Sequence, residues 1–169
     1  MKNSNKLLKL TVLSMLIALG VVISPILRVE GMCPMAHFIN IVCSVFLGPW
    51  YSLLCATLIG IIRMATMGIP PLALTGAVFG AFLSGVFYRL SKGKIICAVV
   101  GEIIGTGIIG AMASYPLFRL FYGLDAQSPF YFIPFYIPSA AVGASMGAAV
   151  LVLLKRTGVL NRMKQELER

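Results

Sequence analysis

Five side chains that can hydrogen-bond or carry charge interrupt long apolar runs in this chain. His37 and Asn40 are three residues apart, Arg63 stands alone, and Glu102 and Thr106 are four apart. Spacings of three and four put side chains on one face of a helix. A charge at membrane depth is costly where it faces lipid, so Arg63 and Glu102 must face protein or a wet cavity. Counted along helices from the same membrane edge, their depths differ by roughly 7 Å, within reach of an arginine side chain. Glu102 therefore either contacts a ligand or neutralises Arg63, and the same choice holds for Arg63. The chemistry on offer is recognition. His37 is the only histidine, and no activated serine or cysteine, paired catalytic carboxylates or metal-ligand spacing accompanies it; the pattern argues against an enzyme. Tyr131 and Tyr136, in an aromatic and proline-rich tract at 130–138, and Tyr115 add ring faces suited to a small flat heterocycle. Trp50 falls on the opposite side of the membrane from such a site.

The elements that hold these residues must be membrane helices. The 169-residue chain is 59% hydrophobic and 11% charged, with a mean hydropathy of +0.97, more apolar surface than a soluble domain of this size can hide. Its apolar runs are continuous rather than alternating, which predicts an all-α integral membrane protein and not an outer-membrane barrel. The runs give six spans, at about 7–24, 36–47, 52–67, 72–90, 95–118 and 131–154, in one compact bundle forming a single domain over residues 1–169. The net charge is +9, yet it does not point to nucleic acid. Eleven of the 14 basic residues fall in three clusters: Lys2/Lys6/Lys9, Arg89/Lys92/Lys94 and Lys155/Arg156/Arg162/Lys164/Arg169. Six spans put all three clusters, and both termini, on the cytoplasmic side, as the positive-inside rule asks.

Local signals fill in the bundle. The basic N-terminus and its apolar run lack a small-x-small cleavage site and read as a first span, not a signal peptide. Ser14, Ala18 and Val22 make a small-residue face for close packing, against this chain or another subunit. Arg28 and Glu30 fall in an outer loop, and the second span is short. Gly48-Pro49 is a tight inner turn, and 67–71 breaks the chain on the outside. Glycines at 76, 80 and 85, and at 101, 105 and 110, give two helices flat faces. An outer loop from Arg119 to Pro129 carries Asp125, the tract at 130–138 enters the membrane irregularly, and a basic, exposed tail closes the chain. Cys33, Cys43, Cys55 and Cys97 form no CxxC pair and read as small buried thiols. Phosphate loops and nucleotide fingerprints are absent, so any energy source lies on another polypeptide.

Several stretches together resemble the ThiW family: Pro34-Met35-Ala36-His37-Phe38-Ile39-Asn40, Leu47-Gly48-Pro49-Trp50-Tyr51, Arg63, Phe79-Gly80-Ala81, and Gly101-Glu102-Ile103-Ile104-Gly105-Thr106-Gly107-Ile108-Ile109-Gly110. The resemblance is order-preserving and covers roughly Pro34 to Pro116. It implies the substrate-binding S component of an energy-coupling factor transporter, in the plasma membrane of a prokaryote, taking hydroxyethylthiazole, a thiamine precursor. His37, Asn40, Arg63, Glu102, Thr106, Tyr115, Tyr131 and Tyr136 would then bind substrate. Ser14, Ala18 and Val22 would meet a transmembrane coupling protein driven by two cytoplasmic ATPases. The chain itself would need no cofactor, ATP being used by those partners. One departure stands where the family pattern has Gly-Thr-Gly and then Phe-Pro-Gly. This chain has Met67-Gly68-Ile69-Pro70-Pro71-Leu72-Ala73-Leu74-Thr75-Gly76, at the expected pocket wall. Thiamine or its pyrimidine precursor is the alternative cargo, and a stand-alone proton-coupled carrier using Glu102 is the alternative mechanism.

Overall fold

The computed structural model describes residues 2–27, 32–123 and 128–168. Within them the regular elements are helices: α1 (Lys2–Ile23), α2 (Pro34–Leu47), α3 (Pro49–Met67), α4 (Leu72–Leu90), α5 (Ile95–Ile104), a π-helical turn (Gly105–Gly110), α6 (Ala111–Tyr122), α7 (Ile133–Arg156) and α8 (Val159–Glu168). Arg28, Glu30 and Asp125 lie outside the described residues.

Among the described residues five helices are long and apolar enough to cross a bilayer: α1, α3, α4, the continuous rod Ile95–Phe121, and α7. Helix α2 has 14 residues, roughly 21 Å at the helical rise against a hydrocarbon core of about 30 Å. Of the six spans expected, five correspond to long helices, and the one read as short is the short helix α2. Residues of α2 touch α1, α3, α4, α5 and α7, and both His37 and Asn40 on it are buried. A helix enclosed by protein need not itself match the bilayer.

The α2–α3 reversal takes one residue. Gly48 has φ +86° and ψ −176°, a conformation that is nearly glycine-only. Pro49 then opens α3, where a missing N–H costs nothing. Helix α4 lies against α5 and the π turn at backbone distance. A Cβ added at Gly101 would lie 2.6 Å from Leu83 O, one at Gly105 2.6 Å from Phe79 O, and one at Gly110 2.8 Å from Thr75 O. The flat faces read from the glycine spacing are where these two helices meet.

Three local expectations change. The fifth rod runs to Tyr122 and carries the π turn midway, so the stretch expected to leave the helix at Arg119 stays helical up to Gly123, whose φ of +61° caps α6. The tract at 130–138 is turn only to Phe132 and regular helix from Ile133. Pro134 fits there because it falls in the first turn, where a proline breaks no hydrogen bond. The C-terminal tail is not an exposed strand of charge. It folds back as α8, because Leu160 and Leu167, seven residues apart, share a face and are 2% and 3% exposed. Leu167 packs in one cluster with Leu13 of α1 and Leu47 of α2. Lys164 donates from Nζ to the Tyr88 hydroxyl at 2.9 Å and stands 4.4 Å from the centre of that ring. The start of α1, the α4–α5 turn and α8 therefore meet at one end, which gathers the described members of all three basic clusters.

Candidate functional site

At the other end the helices part around a cavity of about 650 Å³. Its walls come from the start of α2 (Ala36, His37), the end of α3 (Arg63), the α3–α4 connection (Ile69, Pro70), the start of α4, Thr106 of the π turn, and the start of α7.

Its polar floor is built by two helix faces meeting across a glycine. On α2 the spacing of three brings His37 and Asn40 to one side, and on the fifth rod the spacing of four does the same for Glu102 and Thr106. Gly80 of α4 sits opposite, where a Cβ would collide with Thr106 Oγ1 and lie 2.8 Å from Glu102 Oε1. Glu102 is 0% exposed. Its Oε1 accepts from Asn40 Nδ2 at 2.9 Å, from Thr106 Oγ1 at 3.3 Å, and from His37 Nδ1 at 2.9 Å. The second Asn40 amide hydrogen goes to Ala77 O at 3.1 Å. Convergent donors stabilise a buried carboxylate without a full counter-charge. With Nδ1 turned to the carboxylate, Nε2 is the ring nitrogen left for a ligand, and His37 lines the cavity.

The pairing of Arg63 with Glu102, one of the two arrangements read from the sequence, is not formed. Glu102 is taken by His37, Asn40 and Thr106, while Arg63 is 4% exposed and its Nε has no hydrogen-bond partner. Glu102 Oε2 is likewise buried without a partner.

The upper wall is aromatic. Tyr131, Phe132, Phe135 and Tyr136 all line the cavity, with Tyr131 and Phe132 edge-to-face at 5.2 Å. Tyr136 offers its ring rather than its hydroxyl, because that group already donates to Leu72 O at 3.1 Å and meets Ser114 Oγ at 3.1 Å. Ser139 Oγ accepts from the Cys33 N–H at 2.9 Å, tying α7 to the chain entering α2.

Of the residues singled out by sequence, His37, Arg63, Thr106, Tyr131 and Tyr136 line the cavity, and Asn40 and Glu102 stand directly behind His37 and Thr106. Tyr115 is half-buried on α6 and does not line it. Trp50 is 68% exposed on the first turn of α3, beside Phe82 and remote from the cavity. The departing stretch at 67–76 supplies Ile69, Pro70, Leu72, Ala73 and Gly76 to the wall. Phe132, Phe135 and Ser139 were not singled out. The 132/136/139 spacing on α7 is the signal that finds two of them, since it marks one helix face. Ser14, Ala18 and Val22 are exposed on α1, opposite the side that buries Leu13 and Gly20. Among the described residues no cluster of His, Cys, Asp and Glu could hold a metal ion.

The family model for the thiamine-precursor transporter protein (ThiW) matches residues 10–157. Searches among curated proteins and among solved structures return no match. The match spans most of the chain and takes in every wall of the cavity, and the protein belongs to this family of transporters.

Proposed function

We propose that this thiamine-precursor transporter is the substrate-binding S component of an energy-coupling factor system. It captures hydroxyethylthiazole at the outer face of a prokaryotic plasma membrane. The observation that carries the reading is the cavity itself: it opens at the end away from the basic clusters and combines an aromatic wall with a few convergent polar groups. That composition suits a small flat heterocycle, and the positive-inside rule sets the basic end in the cytoplasm.

In this reading the thiazole ring packs against Phe132, Phe135 and Tyr136, with Tyr131 at the mouth. His37 Nε2 accepts from the ligand hydroxyl. Glu102 and Asn40 do not touch the cargo; they fix the orientation and tautomer of His37 from behind, as a carboxylate commonly does for a working histidine. Thr106 closes the floor. The exposed stripe of Ser14, Ala18 and Val22 is where the transmembrane coupling protein docks, and two cytoplasmic ATPases on that module drive delivery.

Calorimetric titration of the purified protein with hydroxyethylthiazole tests the substrate, and saturable 1:1 binding is expected. Absence of binding to it, to thiamine and to the pyrimidine precursor would sink the reading. Uptake is then measured in proteoliposomes holding this chain with and without the coupling module. The proposal requires the module and ATP. Proton-driven uptake by this chain alone would instead make it a secondary carrier, with Glu102 as the relay.

A further inference from the structure

The cavity contains a buried arginine that has no hydrogen-bond or ion-pair partner among the described residues. Arg63 is 4% exposed, it lines the cavity, and its Nε has no hydrogen-bond partner. A guanidinium cannot shed its charge at any working pH, and a buried charge with no partner costs several kcal/mol. Among the described acids, Glu102 forms no ion pair with it, and the Glu102 Oε1 takes three other donors. Among the described residues the wall holds Arg63 and His37 and no aspartate or glutamate. The one permanent charge on that described wall is therefore the Arg63 cation, which disfavours the thiazolium and ammonium groups of a cationic cargo.

We propose that the cargo carries an anionic substituent, a carboxylate or a phosphate monoester, that docks on Arg63. The planar fork of a guanidinium matches either group in two parallel hydrogen bonds. The heterocycle then lies between Arg63 and the aromatic wall of α7, its ring on Phe132 and Tyr136 and its anion toward α3. A neutral hydroxyethyl group, with its hydroxyl on His37, leaves the guanidinium unsatisfied. The inference rests on the cavity being the precursor site, and it names the chemical class that site prefers.

The test compares three probes by calorimetry on the purified full-length protein: hydroxyethylthiazole, its phosphate monoester, and 4-methylthiazole-5-acetic acid. Inorganic phosphate serves as the ring-free control. A charge-assisted pair in a buried site sets the expected gain at about ten- to a hundredfold for at least one anionic probe over the alcohol. In Arg63→Gln that preference disappears while the alcohol still binds. The variant also separates ligand effects from folding. Since it removes an unsatisfied charge, the empty protein unfolds at the same temperature or higher, and loses the extra thermal shift given by the anionic probe. Equal affinities for all three probes in the unaltered protein overturn the inference and leave the thiazole site standing. So does an empty Arg63→Gln that unfolds markedly earlier, because Arg63 would then have a structural partner. Inorganic phosphate binding as tightly as the monoester overturns the heterocycle's part in it. If no thiazole binds at all, the reading of the cavity fails first.

Discussion

Glu102 decides whether the floor of the cavity holds its shape. Three donors from two helices end on its Oε1, so removing that oxygen leaves each of them buried and unpaired. Truncation to alanine should lower stability by roughly 3 kcal/mol or more, the usual cost of orphaned buried donors, seen as earlier thermal unfolding in detergent. Glu102→Gln retains one oxygen to accept and should cost much less stability. It should still weaken hydroxyethylthiazole binding by about tenfold, because an amide can donate toward Nδ1 and so permit the wrong histidine tautomer. If affinity survives in Glu102→Gln while His37→Ala abolishes it, the orienting role is wrong. At this scale the sequence was legible in part. The three- and four-residue spacings identify His37, Asn40, Glu102 and Thr106 as members of common faces. No spacing rule says which acceptor each donor reaches across 62 or 65 residues of chain. The Arg63–Glu102 pairing was the natural guess from charge alone. It does not form because neutral donors lie closer to the carboxylate.

Helix α4 controls how near the two polar faces come. At Gly80 a methyl group would press on Thr106 Oγ1 and lie 2.8 Å from Glu102 Oε1, closer than carbon and oxygen tolerate. Gly80→Ala should therefore cost about 1–3 kcal/mol as overpacking and lower ligand affinity along with unfolding temperature. The neighbouring substitution Gly101→Ala is blocked by Leu83 carbonyl, a backbone atom, nearer the basic end. It should reduce stability similarly and disturb binding less. Comparable losses of affinity from both would show that the floor is not locally set. The glycine pattern gave these contacts away in the sequence, since small residues at spacing four in two apolar runs have few other uses. The π turn at Gly105–Gly110 had no such signature. Its composition of glycine, threonine and isoleucine reads equally well as ordinary helix, and the wide turn arises from packing against α4.

Across the whole molecule, the two ends do different work. The cavity occupies one, and α8 with the basic clusters occupies the other. Deleting residues 158–169 should expose the cluster around Leu13 and Leu47 and remove the Lys164–Tyr88 contact. Unfolding temperature should fall, and affinity for hydroxyethylthiazole should stay within about twofold, since no residue of α8 approaches the cavity. A large loss of affinity would mean that the ends are coupled. The same separation predicts that Trp50, the only tryptophan, reports little of ligand binding in its fluorescence, and that Trp50→Phe leaves affinity unchanged. Composition and run lengths revealed the membrane class and the basic end. They showed that the second span is short, but they did not reveal α8, whose two leucines are too few to show in a charged tail.

The π turn has one more consequence, for how the fifth rod is wound. A turn carrying an extra residue rotates everything beyond it by about 100° relative to the segment before it. Cutting out one residue there, Ile108 for instance, would restore an even pitch. The lost residue and the tightened turn cancel at about 100° each, so Ser114 would keep the Tyr136 hydroxyl and the acid below it would stay in place. The rim and the base of the chamber sit on the same rod but are out of phase. A residue lost at the wide turn re-aims neither, whereas one inserted in the regular stretch between it and the rim turns the rim by about 100° and leaves the base alone.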